Sequence, residues 1–188
     1  MRTAKLLSVF SILILVMGCQ TMKPIHTVKS VDLKRFMGDW YVIASIPTFI
    51  EKDAYNAVES YRLDEDGTVD TTFSFNKGSL DGPIKEYTPR GFIKDKMSNA
   101  VWGMQFFWPF KAEYRIIYLA EDYSQTVIGR SKRDYVWIMA REPSIPDEDY
   151  ERILKFLRDQ DYKLNDLRKV PHDTARGGSW IVRSLERI

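Results

Sequence analysis

The 188-residue sequence holds one cysteine, Cys19, and two histidines, His26 and His172. A single thiol has no intramolecular partner, so a disulfide framework is excluded. With no Cys/His cluster, a structural zinc site is excluded too. The chain has no His-x-x-x-His pair, no Gly-x-Ser-x-Gly elbow and no glycine-rich phosphate loop. Those gaps argue against the common hydrolases. Formal net charge is only +2, which directs nothing toward nucleic acid. Charges of both signs are interspersed and read as a solvated surface. No apolar run reaches the roughly 20 residues that a membrane span needs.

What is present begins at the N-terminus. Arg2 and Lys5 precede an apolar run, Leu6 to Met17, and then Gly18-Cys19. This is the layout of a secretory leader ending in a lipobox. Residues 1–18 are expected to be removed and the Cys19 thiol acylated. Gln20 follows the cysteine where an aspartate would retain the protein at the inner membrane, so the outer membrane, periplasmic face, is expected. Residues 19–30 read as the lipidated N-terminus and a tether, 31–171 as one domain, and 172–188 as a mobile tail.

Within that domain, hydrophobic periodicity is mostly two. Trp40 to Ile46 is apolar and β-branched, Ala57 to Leu63 alternates, and Val69, Thr71, Phe73 and Phe75 recur on one face. Asp64-Glu65-Asp66-Gly67 and Asp81-Gly82-Pro83 are turn signals. Lys85 to Lys94 reads as a strand with Pro89 at a bulge or edge, followed by the row Ala100, Trp102, Met104, Phe106. Tyr114 to Leu119, Thr126 to Arg130 and Tyr135 to Ala140 bring the number to about eight strands at hairpin spacing, as in a sandwich or up-and-down barrel. One helix is predicted to open at Ser144 or Pro146. Acidic residues fill its first turn, and its apolar stripe is Tyr150, Ile153, Leu154 and Leu157. Five Trp, ten Tyr and ten Phe fit either a β-rich core or an aromatic-lined cavity.

Three segments line up along this pattern. Gly38-Asp39-Trp40 opens the first strand, Asp122-Tyr123 sits in a late tight turn, and Arg141 ends the last barrel strand before the helix. The arrangement resembles the lipocalin family, with its Gly-x-Trp, Asp-Tyr turn and late Arg. Cys19 in front makes it similar to lipid-anchored bacterial members. The resemblance covers about Val31 to Pro171. It implies an eight-stranded antiparallel β-barrel with one C-terminal α-helix packed on it. It also implies that Trp40 and Arg141 close one end in a cation–π contact, with Gly38, Asp122 and Tyr123 as structural companions. An eight-stranded barrel has room for one small ligand.

If Trp40 points inward, alternation carries Val42 and Ala44 with it. The other inward rows are then Ala57, Glu59, Tyr61 and Leu63; Phe73 and Phe75; Trp102, Met104 and Phe106; and Tyr135, Trp137 and Met139. Each of these residues fits packing as well as ligand contact, and a one-residue slip would turn any row outward. Glu59 is the odd member: it stands in water at the open mouth, or it reads a ligand headgroup or bound water, with Arg115 or Tyr61 as partner. Rings and a thioether suit an acyl chain. The resemblance implies a binding protein without cofactor or catalysis, holding a fatty acid or lysophospholipid for envelope maintenance. It also leaves room for a homodimer. The rival expectation is a filled barrel with a structural or partner-binding role.

Overall fold

The computed structural model describes residues 23–173. Cys19, the leader and residues 174–188 of the tail lie outside the described residues. The period-two segments form β1 (Gly38–Ile46), β2 (Ala54–Leu63), β3 (Thr68–Lys77), β4 (Ile84–Tyr87), β5 (Arg90–Ile93), β6 (Val101–Phe107), β7 (Phe110–Leu119), β8 (Gln125–Gly129), β9 (Val136–Ala140) and a short β10 (Arg168–Lys169). Antiparallel neighbours run β1-β2-β3-β5-β6-β7-β8-β9, and β9 returns to β1 through Tyr41↔Ala140 and Val42↔Met139. β4 and β5 both pair with β3 and act as one strand, so the closed barrel has eight staves. Thr88-Pro89 divides that strand, because proline brings no N–H to the ladder.

Alternating direction sorts the connections onto two ends. The β1–β2, β3–β4, β6–β7 and β8–β9 links share one end. The β2–β3, β5–β6 and β7–β8 turns share the other with helix α1 (Leu33–Phe36). Asp32 caps α1 by accepting the N–H groups of Lys34 at 2.9 Å and Arg35 at 3.3 Å. Helix α2 (Asp147–Asp159) packs outside the barrel with Ile153 and Leu157 fully buried, against Ile43, Ala44, Ile117, Val127 and Ile138. Each of those two side chains contributes about 1.5–3 kcal/mol by burial.

The N-terminal strap differs from the expected tether. The Lys23 carbonyl accepts from the Arg133 guanidinium at 2.7 Å in the β8–β9 loop, and Ile25 is buried. Val28 N–H then donates to the Ile116 carbonyl at 3.0 Å and Val31 N–H to the Ser98 carbonyl at 2.8 Å, in the β5–β6 loop. Residues 23–31 thus travel from the β8–β9 end of the barrel to the α1 end. The start of the tail differs too. His172 Nε2 lies 2.9 Å from the Val42 carbonyl, and Asp173 N–H donates to Asn56 Oδ1 at 2.8 Å.

One inward assignment is corrected by a bulge. Val42 pairs with Met139 but Ala44 pairs with Ile138, leaving Ile43 as an extra residue. The insertion flips the following parity, so Ala44 faces α2 instead of the barrel interior.

Candidate functional site

The α1 end of the barrel is solid. Gly38 takes φ +91°, and a Cβ there would lie 3.4 Å from Arg141 Nη1, so glycine suits both the backbone and the approach of the guanidinium. Trp40 is fully buried and donates its Nε1–H to the Phe36 carbonyl at 2.9 Å. The Arg141 guanidinium lies 3.8 Å from the Trp40 ring centroid. It donates to the carbonyls of Asp39 at 2.7 Å, Arg35 at 2.8 Å, Phe36 at 3.1 Å and Met37 at 2.8 Å. One rigid fork thereby satisfies the end of α1 and the start of β1 together. Asp122 accepts the Ser124 N–H at 2.9 Å, and the Tyr123 hydroxyl oxygen accepts the Asp32 N–H at 2.9 Å. Above Trp40 lie Phe36, Tyr61, Trp102 and Tyr114 in ring contact, with Trp102 and Tyr114 stacked at 5.2 Å.

Over this floor the barrel opens into a cavity of about 590 Å³. Its walls include Phe73, Tyr87, Met104, Phe106, Tyr114 and Trp137, with Thr48 to Glu51 of the β1–β2 loop folded over one side. Of the residues predicted to line a cavity, Glu59, Phe73, Met104, Phe106 and Trp137 do border it. Val42, Ala57, Tyr61, Phe75, Trp102 and Met139 belong to the packed interior cluster instead. Phe73 and Met104 belong to both the cluster and the cavity border. Tyr135 precedes β9, with its ring 6.3 Å from Trp137 and 5.2 Å from the Arg130 guanidinium. It is not among the bordering residues.

Glu59 is not at the mouth. It pairs with Trp40 across β1–β2 and with Phe73 across β2–β3, which places it next to the closed end. The Tyr61 hydroxyl donates to its carboxylate, and Tyr61 and Tyr114 hydroxyls are 2.7 Å apart. With Tyr61 donating to Glu59, Tyr114 is left as the donor to Tyr61. Arg115 pairs instead with Glu113 at 2.6 Å. Burial pushes the Glu59 carboxyl up to about 7, against the Tyr61 hydrogen bond, and the Glu51 charge adds to the rise. Burial and the Glu59 charge hold both tyrosines well above the usual phenol range. Glu51, absent from the predicted rows, accepts from Trp137 Nε1–H and from the Thr48 hydroxyl, each at 2.7 Å. Its carboxyl is also raised by burial. Loop residues carry no periodicity, so nothing in the strand pattern pointed to Glu51. Tyr114 had a signal in its direct pairing partner, Trp102.

Comparison with known proteins places this geometry. The model of a lipocalin-like domain matches residues 31–172. Temperature-induced lipocalin-1 of Arabidopsis thaliana is 28% identical over 155 residues, covering 79% of this chain and 83% of the relative. The outer membrane lipoprotein Blc of Citrobacter freundii is 28% identical over 172 residues, 89% of this chain and 96% of the relative. Among solved structures, insecticyanin from the tobacco hornworm Manduca sexta superposes with a TM-score of 0.64 at 16% identity, covering 82% of this chain and 88% of the other. Members of the matched family are in general binding or transport proteins for small hydrophobic ligands. A barrel closed by Trp40 and Arg141, hollow above them and flanked by one helix, agrees with the sequence match: the chain belongs to the lipocalin family.

Proposed function

We propose that the chain is a lipid-anchored carrier that holds a single-chain amphiphile, a fatty acid or lysophospholipid, at the outer membrane. The observation that carries this reading is the cavity of about 590 Å³, within the size range of small-molecule sites, whose border includes seven aromatic rings and Met104 beside four glutamates. Its floor is sealed, so an acyl chain enters tail first and leaves its headgroup at the mouth. Arg130 is the cation bordering the space. The likeness to an outer membrane lipoprotein and the Val16-Met17-Gly18-Cys19 leader support the anchor. Outer-membrane placement on the periplasmic side and a part in envelope maintenance belong to the same proposal.

The test is extraction and mass spectrometry of lipid carried by purified protein, followed by titration of lysophospholipid or palmitate with tryptophan fluorescence as readout. Trp137 borders the cavity, so its emission shifts on filling. Met104→Arg puts a long cationic side chain into the cavity in place of the thioether and weakens binding about tenfold or more while the melting profile stays cooperative. A folded wild-type protein that carries and binds no lipid would overturn the carrier reading in favour of a structural or partner-binding barrel.

A further inference from the structure

Among the described residues, eight large apolar side chains are exposed, and seven of them crowd one end of the barrel. The β6–β7 tip supplies Phe106, Phe107 (68% exposed), Trp108 (84%) and Phe110 (67%). Phe49 (83%) on the β1–β2 loop, with Leu80 and Ile84 at the β3–β4 link, completes the rim. Solvent exposure of so many rings in one place is costly and marks a contact surface. Phe49, Phe106 and Phe107 also border the cavity, so the exposed rim and the cavity wall are one continuous apolar surface.

The same end receives the N-terminus. Arg133 holds the Lys23 carbonyl at 2.7 Å and also donates to the Gln160 carbonyl at 2.6 Å, fixing the strap beside the β8–β9 loop. Cys19 lies four residues before Lys23. Four residues span at most about 14 Å. An acyl group on Cys19 therefore cannot reach a bilayer lying beyond the closed end. It can reach one next to the mouth.

We infer that the open rim is a membrane-docking surface: the Phe107-Trp108-Pro109-Phe110 tip inserts into the bilayer interface, and the cavity opens onto lipid. Aromatic rings of this kind favour the headgroup level. Charges on the rim loops are of both signs, Lys52 beside Asp53 and Lys132 beside Asp134, so insertion of the rings carries the contact. The anchor's direction rests on the proposed acylation of Cys19; the rim itself does not.

The test uses residues 19–188 with Cys19→Ser, which keeps the strap, barrel and helix and removes both leader and acyl site. This protein should sediment with vesicles of phosphatidylethanolamine and phosphatidylglycerol. Trp108→Ser/Phe110→Ser should lower its partitioning roughly tenfold or more. These two side chains do not border the cavity, so titration with lysophospholipid in the absence of vesicles should be unchanged and also reports folding. Brominated lipid should quench wild-type fluorescence more than that of Trp108→Phe. Absence of vesicle binding, or binding indifferent to the tip substitutions, would overturn the inference while leaving the carrier reading intact. So would a dimer dissolved by those substitutions in a protein that ignores vesicles, since the rim would then serve a second copy. Loss of lysophospholipid binding with vesicle docking retained would sink the carrier reading alone.

Discussion

Glu59 is a buried carboxyl whose chemistry departs from its ordinary state. Its carboxyl keeps a proton to about pH 7 in the folded barrel and loses it near 4.5 when unfolded. Between those values the folded state binds more protons, so this group's contribution to stability is full below about 4.5 and falls as pH rises. Glu51, Tyr61 and Tyr114 face it, and Glu51 acts in the same direction because its carboxyl is also raised. Glu59→Gln should therefore stabilise the protein at pH 8 by roughly 1–3 kcal/mol relative to its effect at pH 4. Urea unfolding at the two values checks this. An equal change at both would show that the carboxyl titrates alike in the folded and unfolded chain.

At the scale of elements, Arg141 does more than sit on Trp40. It links β9 to α1 and β1 through four main-chain acceptors. Trp40→Ala should cost about 3–5 kcal/mol, as for a large aromatic removed from a core. Arg141→Ala leaves several carbonyls without that donor. A double-mutant cycle in urea should give a coupling energy of about 0.5–2 kcal/mol, and strict additivity would refute the pairing.

The strands were legible from period two, while their closed order and this contact were expected only through the family resemblance that three short motifs carry. What the sequence hid was parity and depth. The extra Ile43 turned Ala44 outward, and no residue type announces a bulge of that kind. Glu59 was recognised as odd, but its place beside the floor depends on pairing with Trp40, a long-range fact. Val42, Ala57, Tyr61, Phe75, Trp102 and Met139 point inward as alternation expects and belong to the packed interior cluster, but are not among the residues that border the cavity. Alternation gives direction and says nothing about which inward side chains have free space beside them. His172 looked like the start of a loose tail because a hydrogen bond to a carbonyl and a ring contact with Tyr41 leave no pattern in sequence.

For the whole molecule, attachment and orientation are separate questions. Wild-type protein should stay with membranes through high-salt washing, since acyl chains contribute about 0.8 kcal/mol per buried CH₂. Cys19→Ser should incorporate no labelled fatty acid. Incorporation of label into that variant would show that the acyl site lies elsewhere, without bearing on the barrel.

The sealed floor has a consequence for selection. A cup with one opening admits a guest in one direction only, so the guest's two ends meet different judges. The leading end must tolerate stacked rings and a carboxyl that prefers to be neutral, while the trailing end remains with the rim and its water. A chain polar at both tips must strip one of them of water to enter, and at the bottom it meets rings and the Glu59 carboxyl, with Arg141 on the far side of Trp40. Tail chemistry is thereby screened by depth and head chemistry by the rim. β6 carries part of both screens, with Trp102 at the floor and Phe106 and Phe107 at the rim.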